Sequence, residues 1–180
     1  MNANENTEKK ILRHIFFVLV ENRSGVLARV AGLFSARGFN IESLSVAETE
    51  NPRVSRMTIV VPGDSRIMDQ VRKQLGKLID VHEVHDFSVE DRDIVDREMV
   101  LIKVLAEEGT KRTEVLQVAG VYRSTVVDLS ERSLIVETTG TVGKINGLLR
   151  CLEPYGILEV ARAGRVAMVR GVKDGKKNDE

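Results

Sequence analysis

The sequence has 180 residues, enough for one medium domain or two small ones that each bury a modest core. Lysine plus arginine and aspartate plus glutamate both number 27, so the formal net charge is zero and no overall field attracts nucleic acid or an anionic membrane. The single cysteine excludes an internal disulfide framework and a cysteine-built zinc site, and no apolar run approaches the length of a membrane span.

The beginning of the chain predicts a cytoplasmic protein whose first strand lies inside a sheet. Residues 1–9 are polar, without a signal-type apolar core, and predict a disordered lead. Residues 11–20 are apolar on both strand faces, which predicts a strand covered on both sides, with His14 facing solvent. From Val26 the apolar spacing becomes helical, and Gly38 is placed to end that helix in a left-handed conformation.

The next elements complete a β-α-β-β-α-β order. Residues 39–48 and 54–61 predict two strands of a hairpin, and Asp64 or Ser65 is a candidate cap for the helix that follows. That helix carries an apolar stripe, and residues 81–89 predict the last strand. The stripe consists of Ile67, Met68, Val71, Leu75, Leu78 and Ile79. We predict an α+β, ferredoxin-like domain over residues 10–89, with both helices on one face of a four-stranded antiparallel sheet.

The same order of elements repeats after a charged linker at residues 90–98. We predict a strand at 99–106, a helix at 110–123, a hairpin at 125–138 that turns at 130–132, a helix at 141–152 and a strand at 157–169 broken at Gly164. The buried face of the first helix is predicted to hold Val115, Leu116, Val118, Ala119 and Tyr122, and Cys151 is expected to be a small core residue of the second. Residues 99–171 therefore predict a second ferredoxin-like domain, and residues 172–180 a charged tail.

The polar segment between the first strand and the first helix is the best candidate for a ligand site. It runs from Glu21 to Leu27, and the free amides of a helix start favour an anion such as the carboxylate of an amino acid. Gly25 would let a ligand approach the backbone, and the amide of Asn40 at the next strand could bind a polar group. Residues of these types also begin helices and turns where no ligand binds.

Other motifs give no positive case for catalysis or for a cofactor in this chain. On a strand, His82 and His85 would lie on opposite faces, so a shared metal ion is expected only if the segment is helical. The segment from Gly140 to Lys144 lacks the remaining residues of a phosphate loop. The strand at 54–61 lacks the glycine and aromatic pattern of an RNA-binding sheet, which agrees with the neutral charge.

Several stretches nevertheless resemble one family closely. The resemblance is carried by ENRSGVLARV at 21–30, GLFSARGFNIESLSV at 32–46, SRMTI at 55–59 and QLGKLIDV at 74–81, and less specifically by REMVLIKV at 97–104 and ILEVARAG at 157–164. These segments resemble the regulatory small subunit of acetolactate synthase, also called acetohydroxyacid synthase. The similarity runs from about residue 11 to residue 171.

The resemblance implies an N-terminal ACT domain that binds valine or another branched-chain amino acid, followed by a domain of related fold. It implies a non-catalytic chain that forms a homodimer through its ACT domains, activates a catalytic large subunit and confers feedback inhibition on it. Thiamine diphosphate, magnesium and FAD would belong to that partner. The effector residues implied between two ACT domains are Asn22, Ser24, Gly25, Val26, Leu27, Asn40 and Ile41, with Val46 as a further wall. The alternatives are an amino-acid-sensing module of a transcription or RNA complex and a small metal-dependent enzyme.

Overall fold

The chain divides into two units in the computed structural model, which describes residues 12–90, 93–107 and 109–171. The first unit contains residues up to Val95 together with those from Ala167 onward, and the second is Asp96–Val166. The predicted lead at 1–9 and tail at 172–180 lie outside the described residues. Within the described ranges, no helix is both long enough and apolar enough to cross a membrane.

The first unit has the predicted β-α-β-β-α-β order. Its elements are β1 Leu12–Glu21, α1 Val26–Ser35, β2 Ser43–Glu48, β3 Val54–Gly63, α2 Ser65–Leu75 and β4 Val81–Asp86. The strands form an antiparallel sheet in the order β2-β3-β1-β4, so β1 is central. The predicted ferredoxin-like fold is thereby confirmed.

Both faces of β1 are buried, as its two-sided apolar run predicts. Phe16, Val18 and Val20 face the core beneath the helices, whereas Ile15 and Phe17 belong to a second cluster on the other face. The prediction for His14 is wrong, because this side chain is fully buried and its Nδ1 lies 2.5 Å from Oδ2 of the buried Asp86. A carboxylate partner distant in sequence explains why a polar side chain occupies a core position.

The second helix is shorter than its apolar stripe suggested. Asp64 caps its start through a hydrogen bond from the Arg66 amide, as predicted, but the helix ends at Leu75 with Gly76 as its C-cap. Ile79 therefore lies in a turn and is 94% exposed, and Ile67 is 41% exposed, so both were wrongly assigned to the buried face. The strands also differ at their ends, because β2 begins at Ser43 and β4 ends at Asp86.

The second unit repeats the topology. Its elements are β5 Ile94–Leu105, α3 Thr110–Val121, β6 Thr125–Leu129, β7 Ser133–Gly140, α4 Val142–Leu152, the short 3-10 helix Glu153–Tyr155 and β8 Ile157–Val169. The sheet order is β6-β7-β5-β8. β5 starts inside the stretch predicted as linker, and residues 167–171 group with the first unit instead of the second.

The helices of the second unit bury narrower stripes than the sequence suggested. Val115 and Ala119 of α3 are buried, but Leu116 is 42% exposed and Tyr122 is only partly buried. The prediction that Cys151 lies in the core is wrong, because Cys151 is exposed on α4 with its Sγ 3.5 Å from the Tyr122 hydroxyl. When a helix buries fewer than two residues per turn, the apolar residues that flank its buried stripe stay at the surface.

Candidate functional site

The loop that follows β1 leads into a helix start without a side-chain cap. Gly25 is the N-cap residue of α1, with φ 84° and ψ −12°, and no side chain accepts a hydrogen bond from the first turn. Asp64 and Thr141 cap α2 and α4, whereas α3, which follows Gly109, also has no side-chain cap. The Val26 amide donates to the Arg23 carbonyl at 3.3 Å, so the amides of Leu27 and Ala28 are the ones left for water or for an anionic ligand.

The side chain of Asn22 fastens this loop to the turn between β2 and β3. Its Nδ2 donates to Glu48 Oε1 and to the Pro52 carbonyl, both at 2.9 Å, and its backbone amide donates to the Arg53 carbonyl at 2.7 Å. Because both contacts use the nitrogen of the side-chain amide, Oδ1 is the atom that remains for a donor group.

The sequence reading missed Asp80, which is the most buried charged group beside the loop. Asp80 is 5% exposed, and its carboxylate lies 2.9 Å from Arg23 Nη2 and 2.6 Å from Arg29 Nη2. Its carbonyl accepts from the Glu21 amide at 2.8 Å. Asp80 thus connects both ends of the loop and the first turns of α1 to the segment that enters β4. The only sequence signal was one aspartate before an apolar strand, which is too common to identify such a contact.

The histidines of β4 pair with carboxylates separately. His82 Nε2 lies 2.9 Å from Glu21 Oε1 at the base of the loop, whereas His85 contacts Glu83 at 2.6 Å and Glu90 at 2.9 Å. The strand on which the two histidines were predicted to lie is confirmed. Among the described residues, no group of three or more histidine, cysteine, aspartate or glutamate side chains could hold a metal ion.

The remaining predicted effector residues differ in exposure. Val26 is 2% exposed and belongs to the core, whereas Leu27 is 43% and Val46 39% exposed. Ser24 and Asn40 are exposed, and Ile41 packs partly against the core. In the described part of one chain, no hydrogen bond joins Asn40 to the loop at 21–25. The two predicted halves of the site are therefore not joined by hydrogen bonds within a single chain.

The neighbour of Ile41 is held by an ion pair. Glu42 Oε2 accepts from Arg13 Nε at 2.8 Å. This hydrogen bond raises the pKa of Arg13 above its usual value. The contact fixes the start of β2 to β1, next to the position predicted to bind the effector.

Comparison with known proteins finds similarity over both units. The family of the small subunit of acetolactate synthase matches residues 97–171, and the small subunit-like ACT domain of acetohydroxyacid synthase matches residues 16–83. The probable acetolactate synthase small subunit of Archaeoglobus fulgidus is 49% identical over 162 residues, covering 90% of this chain and 99% of that protein. The acetolactate synthase small subunit of Mycobacterium bovis is 50% identical over 158 residues, covering 88% and 92%. The crystal structure of the small subunit from Thermotoga maritima has a TM-score of 0.80 at 38% identity, covering 90% of this chain and 99% of that one.

Proposed function

Because this chain belongs to the acetolactate synthase small-subunit family, we propose that it is a non-catalytic regulatory subunit that activates a catalytic large subunit and makes it sensitive to valine or a related amino acid. Thiamine diphosphate, magnesium and FAD belong to the catalytic partner in this proposal. The observation that carries the effector site is the uncapped start of α1 behind Gly25.

The effector carboxylate binds the first-turn amides of α1, where the helix dipole favours a negative charge. Asn22 Oδ1 accepts a hydrogen bond from the effector's ammonium group, because its Nδ2 is already held by Glu48 and Pro52. Leu27 and Val46 are half-exposed apolar side chains that suit an aliphatic effector. Asn40 and Ile41 complete the pocket from a neighbouring copy, so the homodimer through the ACT domains is part of the proposal.

The pocket works as a regulator if occupancy favours one arrangement of the two copies. A coupling of about 1–3 kcal/mol to the catalytic partner is sufficient for useful feedback. Selection among valine, leucine and isoleucine is expected to be modest, since one methylene in an apolar pocket discriminates by about 1–3 kcal/mol.

Binding is tested by titration calorimetry of the full chain with valine. Gly25→Asp puts a carboxylate at the proposed anion site, so we expect affinity to fall by about a hundredfold, equivalent to roughly 3 kcal/mol. Gly109→Asp is the matched control, because Gly109 also precedes a helix with positive φ but lies in the second unit. Undiminished valine binding by Gly25→Asp would show that the site is elsewhere.

Regulation is tested by reconstitution with an acetolactate synthase catalytic subunit. The rate is measured with and without this chain and with increasing valine, for the wild type and for Gly25→Asp. We expect the wild type to raise the rate and to confer inhibition by valine, and the variant to raise the rate without conferring inhibition. A catalytic subunit whose rate and valine response ignore the added chain would contradict the regulatory role.

A further inference from the structure

The two sheets differ in how the face away from their helices is covered. In the first unit, Phe17 on that face packs with Phe87 and Ala167 in a buried cluster. Arg56 also packs on this cluster. Its guanidinium lies 4.2 Å from the centre of the Phe17 ring, and its Nη2 lies 2.5 Å from the Ala167 carbonyl. The outer face of the first sheet is thus covered by the chain itself.

The outer face of the second sheet carries an apolar floor that opens to solvent. Val100, Ile102 and Val104 of β5 point into the core, so the alternation of a strand sends Leu101 and Lys103 to the outer face. A shallow cavity of about 180 Å³ lies over this face, lined by Leu101, Lys103, Ile135, Glu159 and Ala161. Ile135 lies opposite Lys103 in the β5–β7 ladder.

Lys103 and Glu159, two of the charged groups on this face, differ from charged neighbours on the same strands. Glu98 on β5 is held by Arg162 of β8 in a two-pronged contact of 2.6 and 2.8 Å, and Asp96 is held by Arg165. In the part of the chain that the structure describes, Lys103 and Glu159 have neither a hydrogen bond nor an ion pair from their side chains. They are opposite charges beside an apolar floor, available to a partner.

A face that carries both charges is complementary to itself. In a two-fold contact, each residue pair occurs twice, so the lysine of each copy can meet the glutamate of the other. Consider a two-fold axis that lies above the face, midway between β5 and β8 and parallel to both strands. It places β5 of one copy over β8 of the second. A partner with only one sign of charge would leave one of the two groups opposed by a like charge.

We propose that the outer face of the second sheet docks against the same face of a second copy, with Lys103 of each chain paired with Glu159 of the other. This contact is separate from the proposed effector site and does not depend on valine binding. Strand spacing and rise give the face a footprint of roughly 500 Å², below the ~800 Å² that each partner commonly buries in a stable interface. The contact is accordingly weak alone and acts together with another contact between the chains.

The two copies can also be joined elsewhere, so the mass of the dimer alone cannot reveal this contact. The test must therefore report whether the two faces are close together. We place a cysteine at Ala163, exposed on β8, in a Cys151→Ser background, and measure the yield of cross-linked dimer with a short bis-maleimide. A cysteine at Lys111, exposed on α3, is the control for random collision.

Charge reversal then distinguishes a contact between chains from one within a chain. Lys103→Glu alone or Glu159→Lys alone sets like charges against each other in the pair of chains, so each should lower the cross-linking yield by about fivefold at low salt. An equilibrated mixture of the two variants restores both opposite-charge pairs in the mixed dimer, and its yield should recover to about half that of the parent.

The mixture is decisive, because a pairing within one chain cannot be repaired by a second chain. A control mixture of Lys103→Glu with the double variant Lys103→Glu/Glu137→Lys should not recover, because every chain in it has glutamate at both 103 and 159. The added lysine replaces Glu137, the other glutamate on this face, opposite Leu101. Equal yields for all proteins, or a mixture that stays as low as the single variants, would overturn the proposal. The proposal would also be overturned if the face were occupied by a small ligand or by another protein, since neither would make the cross-linking yield depend on mixing.

Discussion

The first helix of each unit begins after a glycine with positive φ, but the arginines near the two helix starts have different partners. In the first unit, Arg23 and Arg29 both contact the carboxylate of Asp80. In the second unit, Arg112 of α3 donates to the carbonyls of Ala106 at 2.8 Å and Ser130 at 2.7 Å, and to that of Glu131. The arginines near the helix start are therefore held by a carboxylate side chain in the first unit and by backbone carbonyls in the second.

This difference concerns how each helix entrance is held to the rest of its unit. Arg112, in the first turn of α3, joins the residue after β5 to the β6–β7 turn. Asp80 contacts both arginines of the first unit, whereas neither α1 nor α3 has a side-chain cap. The two helix entrances therefore differ in the groups that hold their arginines and not in helix capping.

Removing Arg112 should produce the largest effect. Arg112→Ala leaves three carbonyls without their donor, and we expect a loss of about 3 kcal/mol in the free energy of unfolding of the second unit. Urea denaturation measures this loss. Arg132→Ala is the control, because the exposed Arg132–Glu107 pair on the same turn should contribute no more than about 1 kcal/mol. Equal losses for both variants would mean that the Arg112 contacts contribute no more to stability than an exposed ion pair.

Neutralising Asp80 should have the next largest effect. Asp80→Asn keeps the shape of the side chain but weakens both arginine contacts, so we expect about 2 kcal/mol lower stability and about tenfold weaker valine binding by calorimetry. Asp69 also contacts two cations, Arg72 and Lys73, but is 42% exposed on α2, so Asp69→Asn should change neither quantity appreciably. Unchanged valine affinity in Asp80→Asn would show that the Asp80 carboxylate does not support the loop for effector binding.

Local sequence patterns were sufficient for the fold. The two-sided apolar run of β1 and the cap at Asp64 each depend on neighbouring residues, and both are present in the structure. The predicted break at Gly164 is wrong, because β8 continues from Ile157 to Val169 and accommodates the positive φ of Gly164 within the strand. The loop before α1 was likewise found from the change of period at Val26, since a strand must end where a helical stripe begins.

The failures concern contacts between residues far apart in sequence. His14 is buried because Asp86 lies beside it on the neighbouring strand, and no local pattern marks that pair. Asp80 meets Arg23 and Arg29 for the same reason, which is why the sequence identified the loop but not the group that holds it. Ile79 shows the opposite error, since helical spacing continued in the sequence beyond the turn at Gly76 that ended the helix.

Releasing the loop from the β2–β3 turn should have a smaller effect. Asn22→Ala removes the contacts to Glu48 and Pro52 and the proposed acceptor of the effector's ammonium group, and we expect about 1 kcal/mol lower stability with about tenfold weaker valine binding. Asn51→Ala is the control, since Asn51 supports the same turn through Arg53 without touching the loop. Similar valine affinities for the two variants would assign Asn22 a structural role only.

Removing one arginine from Asp80 should have the smallest effect. Arg23 and Arg29 are each more than half exposed at their side chains, so Arg23→Gln or Arg29→Gln is expected to lower the free energy of unfolding by only about 0.5 kcal/mol. The double variant should lose about 2–3 kcal/mol, more than the sum, because it leaves a buried carboxylate without a cation. Urea denaturation of the four proteins gives the coupling directly. Strict additivity would show that the two arginines act independently, and Asp80 would then not be the shared anchor of the α1 entrance.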